Sequence, residues 1–123
     1  MSKRNVVHVE IPAANVQAAG KFYQELLGWK ISHDDAMNYS MWEAGDGTGG
    51  GFPEVSKDAP AGQVLVYIAS DDIDADLKKV EKLGGKVVQP KTEIPNMGWF
   101  GMFKDPTGNV LGLYTSMNPQ SNQ

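Results

Sequence analysis

The feature that most constrains this chain is a match between its two halves. Placing "LGWKI" (27–31) over "LGGKV" (83–87) lays one helix-then-strand pattern on another, and the preceding runs "VVHVEIP" and "GQVLVYI" then align too. A repeat of this length means one supersecondary unit used twice, because a single copy leaves a sheet face that it cannot bury. The first helix is expected over 16–27, with Val16, Ala19, Tyr23, Leu26 and Leu27 at helical spacing, Asn15 as N-cap and Gly28 as terminator. The second is expected over 73–83, with Ile73, Leu77 and Val80 as its stripe, Asp71 and Asp72 at its start, and Gly84 as terminator.

Three strand candidates follow each helix: 30–33, 39–43 and 49–52, then 86–89, 99–104 and 110–115. The last pair superposes without a gap, so that Met41 lies over Met102, Trp42 over Phe103 and Gly51 over Gly112. Each half therefore reads β-α-β-β-β, with module one at about 5–53, a Pro/Gly-rich linker at 54–62, module two at about 63–115 and a polar tail from 116 to 123. The expected fold is α+β: two βαβββ modules forming one cupped mixed sheet, helices on the outer face and a concave inner face available to a ligand. A chain of 123 residues is one domain by size.

Bulk properties exclude several functions. The net charge of −4 is scattered and no basic stripe is present, which argues against nucleic acid. No apolar run approaches the ~20 residues that span a bilayer, and the first residues lack a signal-peptide pattern. With no cysteine there is neither a disulfide framework nor a thiolate site. A cytoplasmic protein is expected.

The stretches "HVEIPAANVQAAGKFYQELLGW", "YIASDDIDADLKKVEKLGGKV" and "GWFGMFKDPTGNVLGLY" together resemble the vicinal oxygen chelate superfamily, the glyoxalase, bleomycin-resistance and extradiol-dioxygenase relatives. The resemblance implies a cup of two modules, often within a homodimer. It also implies that metal-using relatives draw one ligand from the first and last strand of each module. Carried onto this chain, those positions are His8, Gly51, Val64 and Gly112, and only His8 has a donor side chain. A catalytic divalent metal takes about three ligands from His, Asp, Glu or Cys, so no metal ligand set is assigned. A weak divalent site at His8 and Glu10 stays an alternative.

Glu10 lies two residues beyond His8 and shares its strand face. The two are the candidate catalytic acid–base groups. Trp42, Gly51, Val64, Trp99, Phe103, Gly112 and Tyr114 are the candidate ligand-binding positions. Leu111 and Leu113 should face the helix, leaving Gly112 and Tyr114 inward, while Trp99 and Phe103 share a face that sequence does not identify. Gly112 is expected to open the floor of the cup to a bulky ligand, because a strand-interior glycine often marks a close approach. His33 is expected to be a solvated surface residue, and "EIPNMGW" (93–99) a flexible loop. "GDGTGGGF" (45–52) lacks the Lys-Ser/Thr and following helix of a phosphate loop and reads as a hairpin. The functional expectation is a small, partly apolar or aromatic organic ligand, bound or turned over without metal. The alternative is a metal-dependent lactoylglutathione lyase, isomerase or dioxygenase.

Overall fold

The computed structural model of the chain describes residues 4–36, 39–45 and 47–117. Most of the expected polar tail lies outside the described residues, as do Asp46 of the glycine-rich hairpin and positions 37–38. The chain is α+β and runs β1 (Val6–Glu10), α1 (Val16–Leu27), β2 (Lys30–Asp34), β3 (Tyr39–Glu43), β4 (Gly49–Phe52), β5 (Leu65–Ala69), α2 (Ile73–Lys82), β6 (Lys86–Ile94), β7 (Gly98–Lys104) and β8 (Val110–Ser116). It divides into two compact units, one of residues 8–65 and one in which residues 4–7 join 66–117. Each has the element order βαβββ.

In the first unit the strands lie in the order β2-β3-β4-β1. The β2-β3 and β3-β4 pairs are antiparallel, and β1 runs parallel to β4 with Glu10 opposite Gly51. Helix α1 starts where Asn15 accepts a hydrogen bond from the Ala18 amide at 2.9 Å, and ends at Gly28, whose φ of 73° suits a residue without Cβ. Val16, Ala19 and Tyr23 turn onto the sheet and pack with Val9, Ala13, Ile31, Trp42 and Phe52. Leu26 and Leu27 stay exposed. Leu26 is turned roughly a quarter-turn off the Val16 line at 3.6 residues per turn, and Leu27 is the helix's last residue.

In the second unit the order is β5-β8-β7-β6, with β5 parallel to β8 and the other pairs antiparallel. Asp72 caps α2 by accepting from the Ala75 amide at 3.0 Å. Ile73 and Leu77 bury against Leu113, with Val87, Trp99 and Phe103 around them. Strand β6 runs on to Ile94, past the Gln89 where the sequence reading stops it, and its register with β7 shifts between Val87 and Gln89 and between Gln89 and Thr92. Pro90 falls inside the second irregularity, where a missing N–H does not break the ladder. The segment expected as a flexible loop is a tight hairpin instead. The Met97 amide donates to the Ile94 carbonyl at 2.9 Å, Asn96 has φ 66°, and the flanking residues stay in β6 and β7. Among the described residues no helix is long and apolar enough to cross a membrane.

Candidate functional site

Strand alternation and helix contact together sort the residues of the first unit into two faces. Val9, Trp42 and Phe52 pack in the cluster that α1 covers. His8 and Glu10 on β1, Tyr39 and Met41 on β3, and Gly51 on β4 therefore point to the helix-free side. His8 and Glu10, the candidate acid–base pair, come together there with His8 Nε2 3.4 Å from Glu10 Oε2 and side-chain exposures of 30% and 20%. Both are enclosed enough to feel each other and open enough to be reached from solvent.

A third group joins them. The Tyr39 hydroxyl donates to Glu10 Oε2 at 2.9 Å, and His8 Nε2 lies 3.0 Å from the same hydroxyl oxygen. Because the phenol proton is engaged with the carboxylate, the imidazole must be the donor in the His8–Tyr39 bond, which assigns Nε2–H to His8. Gly51 makes this possible. A Cβ built on it would stand 1.7 Å from the Tyr39 oxygen, so any side chain there would evict the hydroxyl. Sequence alone places Tyr39 only at the start of the strand expected over 39–43. The signal that finds it is the β3-β4 register, which sets Met41 opposite Gly51 and so brings Tyr39, two residues along, onto the same face and diagonal to the glycine.

Three expected ligand-binding aromatics lie elsewhere. Trp42 is 5% exposed, stacked on Trp29 with centroids 3.9 Å apart under α1. Trp99 and Phe103 pack against Ile73, Leu77 and Leu113 on the face covered by α2. Trp42 is buried core and Trp99 and Phe103 are partly buried against the core, because the faces bearing Leu113 and Val9 are the ones the helices cover. Tyr114 and Gly112 do lie on the helix-free face of the second unit, where the Tyr114 hydroxyl donates to the Met97 carbonyl at 3.0 Å. Gly112 is no open floor. A Cβ there would stand 2.4 Å from the Tyr67 ring, which fills the space.

Val64 is displaced too. It precedes β5 and is half exposed. Glu10 stands opposite Gly51 and Tyr67 opposite Gly112. Leu65 is therefore to Gly112 what His8 is to Gly51, and the gapless pairing of His8 with Val64 is off by one residue.

His33 is not a solvated surface residue. It shares the helix-covered face with Ile31, its Nδ1 lies 2.7 Å from the Ser40 hydroxyl, and its Nε2 is 3.3 Å from Asp35 Oδ1. The order Ser-His-Asp is that of a hydrolase triad, but Ser40 is enclosed in the core at 1% exposure and offers no surface to an external substrate.

Residues 5–113 match the Glyoxalase/Bleomycin resistance protein/Dioxygenase superfamily. The chain belongs to this superfamily. It is 32% identical over 113 residues to CFP32 of Mycobacterium tuberculosis, covering 86% of this chain and 43% of that one. It is 25% identical over 122 residues to the anthracycline biosynthesis protein DnrV of Streptomyces peucetius, covering 85% and 44%. It thus spans less than half the length of these two relatives. Among solved structures, a superfamily member from Vibrio splendidus superposes with a TM-score of 0.68 at 12% identity, over 93% of this chain and all of that one, a likeness of fold.

The superfamily's metal-using members supply a test of the donor set. Of the four positions carried over, Gly51 has its side-chain space taken by the Tyr39 hydroxyl, Gly112 has its own taken by the Tyr67 ring, and Val64 has no donor. Among the described residues no three His, Cys, Asp or Glu side chains gather as a metal site. Of the carried-over positions only His8 has a donor side chain, and Leu65, the register counterpart of His8 in the second unit, has none either.

Proposed function

We propose that this superfamily member binds a small organic molecule on the helix-free face of its first unit, without a resident metal. The ligand's polar group meets His8 and Glu10, which either hold it or move a proton on it. The observation that carries the reading is the placement of an imidazole and a carboxylate 3.4 Å apart, both part-exposed, on the one sheet face of that unit left bare by its helix. Met41, 40% exposed on the same face, gives the surface an apolar side, and the backbone at Gly51 lies beneath. An aromatic or partly apolar ligand suits such a surface, and the name of DnrV supports planar aromatic compounds as the first class to try. On the second unit, Tyr114 is a proposed contact on its own helix-free face, beside Phe100 and Met102, whereas Gly112 lies under the Tyr67 ring.

The test is calorimetric titration of the full chain with a panel of planar phenols and quinones that includes an anthracycline. At least one compound binds, and His8→Ala weakens it about tenfold, the equivalent of one hydrogen bond of about 1.4 kcal/mol. Binding that survives both His8→Ala and Glu10→Gln unchanged removes the site, and near-stoichiometric Ni, Zn, Fe or Mn in the dialysed protein removes the metal-free reading. The proposal includes a homodimer, for which light scattering gives twice the 13.3 kDa chain mass. The exposed Phe22 and Leu26, one turn apart on α1, support it.

A further inference from the structure

We infer that Tyr39 is the third functional group of this site, standing where metal-using relatives place a ligand side chain, and that His8, Tyr39 and Glu10 form a proton relay in place of a metal centre. The inference rests on the reading of the His8 face as the site and goes beyond it by assigning the proton path. Three observations carry it. The Tyr39 oxygen lies within 3.0 Å of His8 Nε2 and 2.9 Å of Glu10 Oε2 at once. It occupies the volume that any side chain at position 51 would need. The residue at 51 is the one type that concedes that volume.

The relay balances without another reactant. A proton gained by the His8 imidazole releases the Nε2 proton to the Tyr39 oxygen, as the Tyr39 proton passes to the Glu10 carboxylate. The imidazole ends neutral, the phenol is regenerated, and the carboxylic acid holds the proton. The reverse sequence delivers a proton to a bound molecule. The chemistry this serves is proton removal or donation at a carbon or oxygen next to a carbonyl, or at a phenol, where a general acid–base group of this kind is sufficient. Tyr39 acts through its two neighbours and is a positioning residue unless it touches the ligand itself.

The test needs no ligand, so it fails or succeeds independently of the binding panel. It reads the ¹⁵N signals of the two imidazoles, with His33 as an internal reference. In the native chain His8 carries its proton on Nε2. Glu10→Ala frees the Tyr39 proton to turn to His8, so the protonated and unprotonated ring-nitrogen signals of His8 exchange places. Adding Tyr39→Phe to Glu10→Ala abolishes the exchange, and adding Gly51→Ala has the same effect because the new methyl displaces the hydroxyl. Gly112→Ala, in the other unit, does not. His33 signals that hold constant show that each variant is folded. A His8 tautomer indifferent to Glu10→Ala, or a Gly51→Ala chain that still shows the exchange, overturns the relay. So does uptake of one equivalent of Zn²⁺ or Ni²⁺ at His8, added as the metal alone to the native chain.

Discussion

Trp42 is buried on the α1-covered face, and its indole N–H has no hydrogen-bond partner among the described residues. An unmet buried donor costs roughly 1–3 kcal/mol, while the stack on Trp29 and the contact with Val16 and Phe52 return packing energy. Trp42→Phe removes the orphaned N–H and keeps an aromatic ring. Its expected cost is therefore about 1 kcal/mol or less in urea denaturation, whereas Phe52→Ala, at a fully buried position with no such relief, costs about 3–5 kcal/mol. A Trp42→Phe loss as large as the Phe52→Ala loss would mean that the N–H is satisfied in solution. The same residue shows why single aromatics are hard to read from sequence. Alternation says that Trp99 and Phe103 share a face, as the sequence reading had it, yet the choice of face depends on where α2 packs. The register settles it by pairing Phe103 with Leu111. Tyr39 was harder still, because its role comes from a neighbouring strand's glycine and not from its own surroundings in the chain.

At the scale of elements, the signals that are local chemistry transferred well. Helix α1 covers the expected residues, its cap is Asn15, and the start of α2 is set by Asp72. Asp72→Ala should cost about 1 kcal/mol, since the Ala75 amide loses its acceptor. What sequence did not show is how closely α2 approaches β7. A Cβ on Gly101 would stand 2.9 Å from Ile73 Cγ2, 3.2 Å from Leu77 Cδ1 and 3.3 Å from the Gln89 carbonyl oxygen. Gly101→Ala is thus overpacking against two core side chains and a fixed backbone atom, and a loss of about 1–3 kcal/mol is expected. A β7 alanine is otherwise better than glycine by propensity, so a stabilised Gly101→Ala protein would show that α2 shifts freely on the sheet. Strand β6 extends past the expected 86–89 through Pro90, a residue that cannot donate to a regular ladder. The bulges that tolerate it depend on register with β7, which exists only once the hairpin has formed.

At the scale of the whole chain, the βαβββ order of both halves was legible because helix and strand periods and their glycine stops recur in sequence. The fastening of residues 4–7 to the second unit was not. It rests on Arg4, whose guanidinium grips the Asp76 carboxylate of α2 at 2.8 and 2.9 Å and also donates to the Ala69 carbonyl at 3.0 Å. The Ser70 hydroxyl adds a 2.6 Å bond to the same carboxylate. Burial by itself would raise the Asp76 pKa. The bonds from Arg4 and Ser70 and the nearby cations outweigh it, and the carboxyl ends below its ordinary value. Asp105, in the β7-β8 turn, is also lowered, first by the Asn109 amide and then by its side chain and the Gly108 and Thr107 amides. Both folded-state values lie below the unfolded ones. The associated stability is therefore complete above the unfolded carboxylate pKa of about 3.9 and is lost as pH falls from there through the folded values. Urea midpoints should hold steady from pH 7 to about 5 and decline below about 4. Arg4→Met removes the partner that does most to lower Asp76, so it should reduce stability at pH 7 by about 1 kcal/mol, a modest figure because Arg4 is more than half exposed and solvent screens the pair. It should also make the acid decline shallower, because Asp76 then starts nearer its unfolded pKa. An Arg4→Met chain that loses stability equally at pH 7 and pH 3 would show that Arg4 acts through packing of its stem, with no contribution from the Asp76 charge.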